Sequence, residues 1–253
     1  MPPAERPSTD VTAEPVTLDL DDALRLLREG ELSVEGRLYD ASNATLYCTV
    51  TLDGVTSACV HKPIVGERPL WDFPDGTLAQ REIAAYVVSA ATGWEIVPPT
   101  VMREGPFGPG MCQLWIDIDE TVDIAALARS DHPQLRRMAV FDAVVNNADR
   151  KGGHLLPTVE GHVYGVDHGV CFSVDDKLRT LLWQWRGRRL NDEAIDVLSG
   201  VRAQLEGELG AALRDLLLPE EVAMTIRRVD RLLSTRRHPM PSDEWPPVPW
   251  PPF

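Results

Sequence analysis

Residues 146–156 read NNADRKGGHLL and follow a long apolar helical run. This stretch decides the fold, because it sets a carboxylate (Asp149), two cations, two glycines and an imidazole (His154) in a row. Glycines permit a tight change of direction, and carboxylate and imidazole side chains move protons and bind metals. The stretch therefore predicts a loop that carries chemistry rather than an ordinary connection.

Composition limits what that chemistry acts on. The 253-residue chain is 43% hydrophobic, which is enough for a real core, and carries 25 Lys plus Arg against 39 Asp plus Glu, a net charge of −14. An acidic chain is a poor partner for nucleic acid or an anionic membrane. A cationic, metal or nucleotide–metal partner is favoured instead. No leader pattern begins the chain and no apolar run approaches about 18 residues, so we expect a cytoplasmic protein without membrane insertion.

The first half of the chain predicts a small α+β unit. A helix at residues 17–29, with Thr17 or Asp19 as its cap, precedes three runs of alternating hydrophobicity that indicate an antiparallel meander. These runs are 32–39, 45–52 and 55–62; a helix at 77–92 capped by Thr77, a short strand at 100–102 and an apolar run at 111–116 follow. Cys48, Cys59, Cys112 and Cys171 match no metal-binding spacing and are interpreted as buried, reduced thiols.

The second half is mainly helical. A buried helix at 133–147 leads into the opening stretch, and HLLPTV and HVYGV form a hairpin that runs into Asp167-His168-Gly169. Helices at 191–217 and 219–235 complete this half, before the tail PSDEWPPVPWPPF. We therefore predict a flexible tail at 1–16, an N-lobe at 17–117, a C-lobe at 118–238 and a Pro/Trp-rich tail at 239–253.

This order of motifs resembles the protein-kinase-like fold, an antiparallel-sheet N-lobe on a mainly helical C-lobe. Val60-His61-Lys62, the helix with Arg81-Glu82, Asp149-Arg150 and Asp167-His168-Gly169 occur in the order typical of that fold. Within it, the chain is most similar to the phosphatidylinositol 3-/4-kinase-like branch, which uses DR-x-x-x-N and D-x-G motifs, and to a small actinobacterial family of that type. The resemblance covers roughly residues 30–235.

The resemblance implies a phosphotransferase that uses ATP with Mg²⁺ or Mn²⁺. Phosphoryl transfer requires a cation on the phosphates, carboxylates on the metal and a group that orients the acceptor hydroxyl. By resemblance, Lys62 contacts the phosphates and pairs with Glu82, although Glu67 is an alternative partner. Asp167 binds metal, Asp149 orients the acceptor, and Arg150 holds Asp149 or a phosphate. Ser42 and Asn43 would donate to phosphate oxygens from the turn at 40–43, unless it is a plain hairpin turn.

His154 departs from the branch's pattern, because it stands where an Asn would offer a carbonyl oxygen to the metal. A neutral imidazole still binds a divalent ion, and it suits Mn²⁺ better than Mg²⁺. The same residue also fits a pseudokinase that binds nucleotide without transfer, or a histidine that bonds a backbone carbonyl. A metallohydrolase built from His154, His162, Asp167 and His168 is a third interpretation.

The acceptor is a separate question. The net charge weakens a lipid substrate, so a protein or small-molecule hydroxyl is favoured. Residues 177–189, KLRTLLWQWRGRR, are the most basic stretch. One hypothesis gives Arg179, Arg186, Arg188 and Arg189 to an anionic acceptor, with Trp183 and Trp185 as a wall. The alternative is that the tryptophans pack and the arginines are solvated. The Pro/Trp-rich tail is a docking segment, a disordered end or an intramolecular cover.

Overall fold

The computed structural model describes residues 18–38 and 43–253. Its architecture is two-lobed and α+β, as predicted, with a sheet-based N-lobe followed by a helical C-lobe. The predicted tail at 1–16, the capping residue Thr17 and the phosphate-loop residue Ser42 lie outside the described residues. No helix within the described ranges is long and apolar enough to span a membrane.

The N-lobe is built on a five-stranded antiparallel sheet in the order β1-β2-β3-β5-β4. Asp53 and Gly54 join β2 to β3 with positive φ angles of 51° and 82°, the backbone that a type I′ hairpin turn requires. The predicted meander is therefore confirmed. The strands are β1 (Glu31–Leu38), β2 (Thr45–Leu52), β3 (Val55–Pro63), β4 (Thr100–Gly105) and β5 (Gly108–Leu114).

Two helices flank this sheet. Helix α1 (Leu20–Glu29) is capped by Asp19, whose carboxylate accepts from the Asp22 N–H at 2.8 Å, and it buries Leu26 and Leu27. The sheet core against which it packs contains Cys48, Cys59 and Cys112. All four cysteines are buried free thiols, in agreement with the sequence prediction.

Helix α2 (Leu78–Thr92) carries Arg81 and Glu82. Thr77 occupies the cap position but makes no side-chain cap bond. The Glu67 carboxylate takes that role, because it accepts from the N–H groups of Leu78 and Ala79 at 3.1 and 2.8 Å. An acid at a helix N-terminus satisfies free N–H groups and complements the helix dipole. This corrects the predicted cap and also removes Glu67 as the partner of Lys62.

The C-lobe surrounds helix α4 (Pro133–Val145), which is buried along nearly its whole length. Asn146 ends the helix in the left-handed region at φ 52°, so the chain turns directly into residues 146–156. The remaining elements are α3 (Ile124–Arg129), β6 (Leu155–Pro157), β7 (Val163–Gly165), α5 (Asp192–Gln204), α6 (Glu208–Arg214) and α7 (Pro219–Thr235).

Three details differ from the sequence prediction. The single helix expected at 191–217 is α5 and α6, separated by a turn through Gly207, where φ is −118° and ψ is −127°. Helix α3 was not predicted, because six residues are too few for a helical periodicity to be detected. Strands β6 and β7 have three residues each, because only that part of the predicted hairpin pairs.

The lobes are joined through a buried ion pair. Arg81 of α2 donates to Glu221 of α7 at 2.7 Å and to the carbonyl oxygen of Cys171 at 2.8 Å. Both side chains are nearly inaccessible, at 1% and 6% exposure. Because the helix that carries Glu82 is fixed to the C-lobe in this way, residues from both lobes are held in register across the cleft. The boundary at 117/118 stays a prediction, consistent with the last sheet strand ending at Leu114.

Candidate active site

Lys62 links the two lobes at the mouth of the cleft. It lies near the end of β3, and its Nζ donates to Glu82 Oε1 at 2.7 Å and to Asp167 Oδ1 at 2.8 Å. The Lys62 side chain is 19% exposed and Glu82 2%, whereas Asp167 is 49% exposed and faces the open side. The structure therefore brings together three residues that lie up to 105 positions apart in the sequence.

The charges of this triangle reinforce each other. Burial by itself lowers the pKa of Lys62, but Asp167 and Glu82 outweigh it and raise that pKa above its ordinary value. The positive charge of Lys62 is the main reason that the pKa of Asp167 lies well below its ordinary value. Lys62 and Asp167 are both charged at neutral pH, which a phosphate-binding cation and a metal-binding carboxylate require.

Asp167 has an unusual backbone. Its φ is 64°, a left-handed conformation that an L-residue rarely adopts and that often marks a functional site. Glu82 supports the turn, since its Oε2 accepts from the His168 N–H at 2.8 Å while its Oε1 accepts from Lys62. One buried carboxylate thus holds the lysine and the aspartate loop at the same time.

Asp149 lies on the loop beside this triangle. Its N–H donates to Asn147 Oδ1 at 2.9 Å, and its carboxylate pairs with Lys151 Nζ at 2.9 Å. Burial is the main cause that raises the pKa of Asp149, and the charge of Asp167 adds to it. The expectation that Arg150 holds this carboxylate is wrong, because its partner is the following cation, Lys151.

Arg150 points into the protein instead. Its Nε and Nη2 donate to the two oxygens of Asp142 at 3.1 and 2.9 Å, and both side chains are 0% exposed. The guanidinium also donates to the Val166 carbonyl oxygen at 3.1 Å and contacts His168 Nε2 at 2.6 Å. Arg150 therefore reaches neither Asp149 nor a phosphate in the cleft. It ties helix α4 to the loop that carries Asp167, which makes it a positioning residue.

His154 stands next to the metal candidate. Its Nε2 lies 3.3 Å from Asp167 Oδ2, and its Nδ1 accepts from the Lys151 N–H at 3.5 Å. Burial lowers the pKa of His154 to about 4, so the imidazole is neutral at physiological pH. The interpretation as a histidine that bonds a backbone carbonyl is not what the structure shows, because the ring faces the Asp167 carboxylate.

Asp167 and His154 fit a divalent cation on the chemistry of their donor atoms. A carboxylate oxygen and a neutral imidazole are both acceptable to Mn²⁺, and Mg²⁺ in kinase sites takes one or two carboxylates and completes its shell with phosphates and water. Within residues 18–38 and 43–253 no group of three or more His, Cys, Asp or Glu side chains is placed to hold a metal by itself. A cation at Asp167 and His154 would need further ligands from outside these side chains.

The remaining predicted site residues are dispersed. Asn43 Oδ1 accepts from the Arg68 N–H at 2.9 Å, so this oxygen holds the neighbouring loop. Arg179 lies beside the loop at 146–156, where its carbonyl oxygen accepts from the Arg150 N–H at 3.1 Å. The stretch with Arg186, Arg188 and Arg189 instead pairs with residues 236–238 through backbone hydrogen bonds. The backbone of Arg179 and that of the other three arginines therefore have different partners, and a shared anionic site for the four stays a prediction.

The predicted aromatic wall is also divided. Trp185 is 1% exposed and donates to Asp131, so it belongs to the core, whereas Trp183 is half-buried and donates to the Pro247 carbonyl oxygen at 2.8 Å. His162 bonds the Glu95 carbonyl oxygen at 2.8 Å, and no contact in the described ranges joins it to Asp167. The metallohydrolase interpretation has no support from this arrangement.

Sequence reasoning missed three residues that shape the site. Asp142 lies within the helix predicted at 133–147 and was given no role, although a carboxylate in a buried helix demands a buried cation. Asn147 orients the backbone of Asp149, and Lys151 pairs with its side chain. The sequence signal for the pairing of Asp142 with Arg150 was a carboxylate among the apolar residues of the predicted helix, because it indicates a buried cationic partner. Nothing in the sequence distinguished Arg150 from Lys151 as the partner of Asp149.

Comparison with known proteins agrees with this geometry. No protein-family model matches the sequence. Over 129 residues the chain is 26% identical to phosphatidylinositol 4-kinase gamma 4 of Oryza sativa subsp. japonica, a match of 44% of the chain to only 22% of that protein. The structure superimposes on the Helicobacter pylori proinflammatory kinase CtkA with a TM-score of 0.51 and 11% identity, covering 83% of the chain and 94% of CtkA. The two-lobed kinase-like fold is thereby confirmed.

A nearer relative exists in sequence. Protein Rv2133c of Mycobacterium tuberculosis is 42% identical over 268 residues, which cover 92% of the chain and 96% of the relative. At this identity and coverage, the chain belongs to the family of protein Rv2133c.

Proposed function

We propose that the protein is an ATP-dependent phosphotransferase that acts on a hydroxyl group of a protein or small molecule. The observation that carries this proposal is the bonding of Lys62 to both Glu82 and Asp167 across the cleft, at 2.7 and 2.8 Å. A lysine held by a helix glutamate beside a metal-binding aspartate is the arrangement that phosphoryl transfer in kinases requires. The kinase-like fold supports the same conclusion.

Each residue has a role that its environment suits. Lys62 neutralises the α- and β-phosphates, and Asp167 with His154 would hold the divalent cation, which neutralises phosphate charge when bound. The acceptor oxygen forms a bond to the γ-phosphorus as the bond to the ADP oxygen breaks, and the hydroxyl proton passes to the Asp149 carboxylate. The raised pKa of Asp149 makes it a better proton acceptor than an exposed aspartate.

The plant relative is named a phosphatidylinositol kinase, but we do not assign a lipid acceptor to this chain on that ground. A lipid substrate requires the protein to sit on an anionic membrane, and the chain carries a net charge of −14. Juxtamembrane binding depends on clustered basic residues, and the basic stretch here is split between the catalytic loop and the contacts with residues 236–238. We therefore favour a water-soluble acceptor.

A second candidate is a nucleotide-binding regulatory module without transfer. Both oxygens of Asp167 already contact protein groups, Oδ1 with Lys62 and Oδ2 with His154. Because His154 Nδ1 accepts a hydrogen bond, the proton of the neutral imidazole is on Nε2 and faces Asp167 Oδ2. A metal that enters at Oδ2 must displace this contact, which favours a fold that retains ATP without transfer. Because His154 replaces the asparagine of the related branch, it decides between the two candidates.

The test is ATP turnover with Mg²⁺ and Mn²⁺ compared. We expect metal-dependent turnover that falls at least about 100-fold in Asp149→Asn, the lower range for loss of a general base, and similarly in Asp167→Asn. Asp196→Asn is the matched control, because Asp196 is an exposed carboxylate on α5. Turnover in His154→Asn should shift towards Mg²⁺, because a carbonyl oxygen replaces the imidazole.

The two candidate functions predict different results if no ATP turnover is observed. Thermal stabilisation by ATP without turnover under either metal would favour the regulatory module. Absence of any ATP-dependent stabilisation in the folded protein would contradict both.

A further inference from the structure

Residues 243–253, DEWPPVPWPPF, form an irregular segment with bends at 243–245, 247–248 and 250–251; we call it the tail segment. It packs on the C-lobe and reaches Trp71 of the N-lobe. It contacts two parts of the candidate active site. One is the catalytic loop at Gly152, and the other is residues 177–183, which follow the metal motif. Of the three interpretations of the tail, the structure shows the intramolecular cover.

The tail segment is held by its backbone. The Thr180 N–H and the Trp183 indole donate to the Pro247 carbonyl oxygen at 3.0 and 2.8 Å, and the Gly152 N–H donates to the Pro252 carbonyl oxygen at 2.8 Å. Arg179 Nε donates to the Pro246 carbonyl oxygen at 3.2 Å. These donors bind main-chain oxygens, so they recognise the backbone of a polypeptide and not a particular side chain.

Two aromatic rings anchor its ends. Trp245 stacks on Trp71 with ring centroids 6.2 Å apart, and Lys177 Nζ lies 4.7 Å from the centroid of Trp245. At the other end, a Cβ built on Gly152 would overlap the ring of Phe253, so only glycine admits this contact. Trp250, between the anchors, is 85% exposed.

The surface beneath the tail segment, formed by Gly152 and residues 177–183, is called the groove. Its position relative to Asp149 connects it to the proposed chemistry. Gly152 lies three residues after Asp149, and the Arg179 backbone is bonded to Asn147 and Arg150 on either side of it. The charge of Arg179 also acts on the Asp149 carboxylate. The groove therefore adjoins the loop that carries Asp149, the residue that would receive the acceptor proton.

We infer that this groove is the acceptor site, that its substrate is a proline-containing polypeptide, and that the tail segment is its resident occupant. The tail segment contains no Ser, Thr or Tyr. It fills the site without offering a hydroxyl. Proline fixes φ near the extended value before binding, which lowers the entropy lost in the groove. The assignment of the acceptor rests on the proposed function, whereas the affinity of the groove for a polypeptide does not.

The occupant must leave before a substrate enters. Because it is tethered to the C-lobe, its effective concentration at the groove is of the millimolar order. A free peptide of the same sequence should then bind poorly to the unaltered protein and well to a variant whose tail segment has lost its anchors.

The experiment uses the full chain with Trp245→Ala and Phe253→Ala combined, and Trp250→Ala as the matched control. We expect the labelled peptide DEWPPVPWPPF to bind the double variant at least about 10-fold more tightly than the unaltered protein or the control, by fluorescence anisotropy. Amide hydrogen exchange at Gly152 and Thr180 should accelerate in the double variant alone. Unchanged exchange at both amides, or accelerated exchange without peptide binding, would contradict the proposal that the groove binds a polypeptide.

A second arm tests the acceptor. Peptides with Val248→Ser or Trp250→Ser are offered to the double variant with ATP and metal, and we expect phosphate on the new serine in at least one of them. Peptide binding and ATP turnover without transfer to either serine would overturn the acceptor assignment. Peptide binding without any ATP turnover would count against the proposed function and leave the polypeptide groove standing.

Discussion

Two ion-pair networks meet at Asp167-His168, and they differ in exposure and in partners. The cleft network joins Lys62, Glu82 and Asp167 and opens to solvent through Asp167, which is 49% exposed. The core network joins Asp142 and Arg150, and its side chains are 0% exposed. The adjacent residues Asp149 and Arg150 belong to different sides of this division, one facing the cleft and the other the core.

The difference separates chemistry from positioning. Charges that bind a ligand must remain accessible, so their mutual attraction is screened and contributes little to stability. Charges that hold a loop in place can be buried, and each then depends on its partner. We therefore expect substitutions in the core network to unfold the protein, whereas substitution of the exposed Asp167 should stop its activity.

The largest effect should come from Arg150→Met. Removal of one partner of a buried pair leaves the Asp142 carboxylate without compensation, which costs about 3–5 kcal/mol of unfolding free energy. Urea denaturation measures it. Arg202→Met is the control, because its partners Asp230 and Glu206 are 52% and 71% exposed, and its cost should be below about 1 kcal/mol. Equal losses of unfolding free energy in Arg150→Met and Arg202→Met would contradict the distinction between buried and exposed ion pairs.

The second effect concerns pH. Burial lowers the pKa of His154 from 6.5 to about 4, so between these values the unfolded chain binds a proton that the folded protein refuses. The unfolding free energy therefore falls as pH decreases from 6.5 to 4, by up to about 3 kcal/mol from this group. His154→Asn should flatten the acid limb by that amount in metal-free urea titrations at pH 7 and pH 4.

The pKa of His168, which contacts Arg150, shifts in the same direction as that of His154. Burial lowers it well below the ordinary value. Its contribution remains in both proteins, so the difference between them isolates His154. Identical pH slopes for the unaltered protein and His154→Asn would show that His154 is not held neutral by the fold.

The smallest effect on stability should come from Asp167→Asn. Asparagine tolerates the left-handed backbone at φ 64°, Lys62 keeps Glu82 as a partner, and the charge repulsion with Asp149 is relieved. We expect a change in unfolding free energy below about 1 kcal/mol, typical of a half-exposed pair, although activity is lost. A loss as large as that of Arg150→Met would mean that Asp167 belongs to the core network.

The periodicity of the chain was sufficient to predict most of its elements. The meander, the Asp53-Gly54 turn, helix α2 and helix α4 follow from alternation, turn residues and apolar spacing, all of which are local properties. The split between α5 and α6 was not predicted, because a turn around a single glycine leaves little trace in a helical pattern. The pairing of Lys62 with Glu82 was predicted through the order of motifs, whereas the cap role of Glu67 was not.

The sequence by itself determined which residue types meet at the cleft, because the order of lysine, glutamate and two aspartates along the chain is typical of a kinase-like fold. Only the tertiary structure decided which way each side chain points. Arg150 is drawn inwards by the buried charge of Asp142, Lys151 is left to pair with Asp149, and the tail segment closes on Gly152. Charge pairing and burial depend on residues that are distant in sequence, and no local pattern records them.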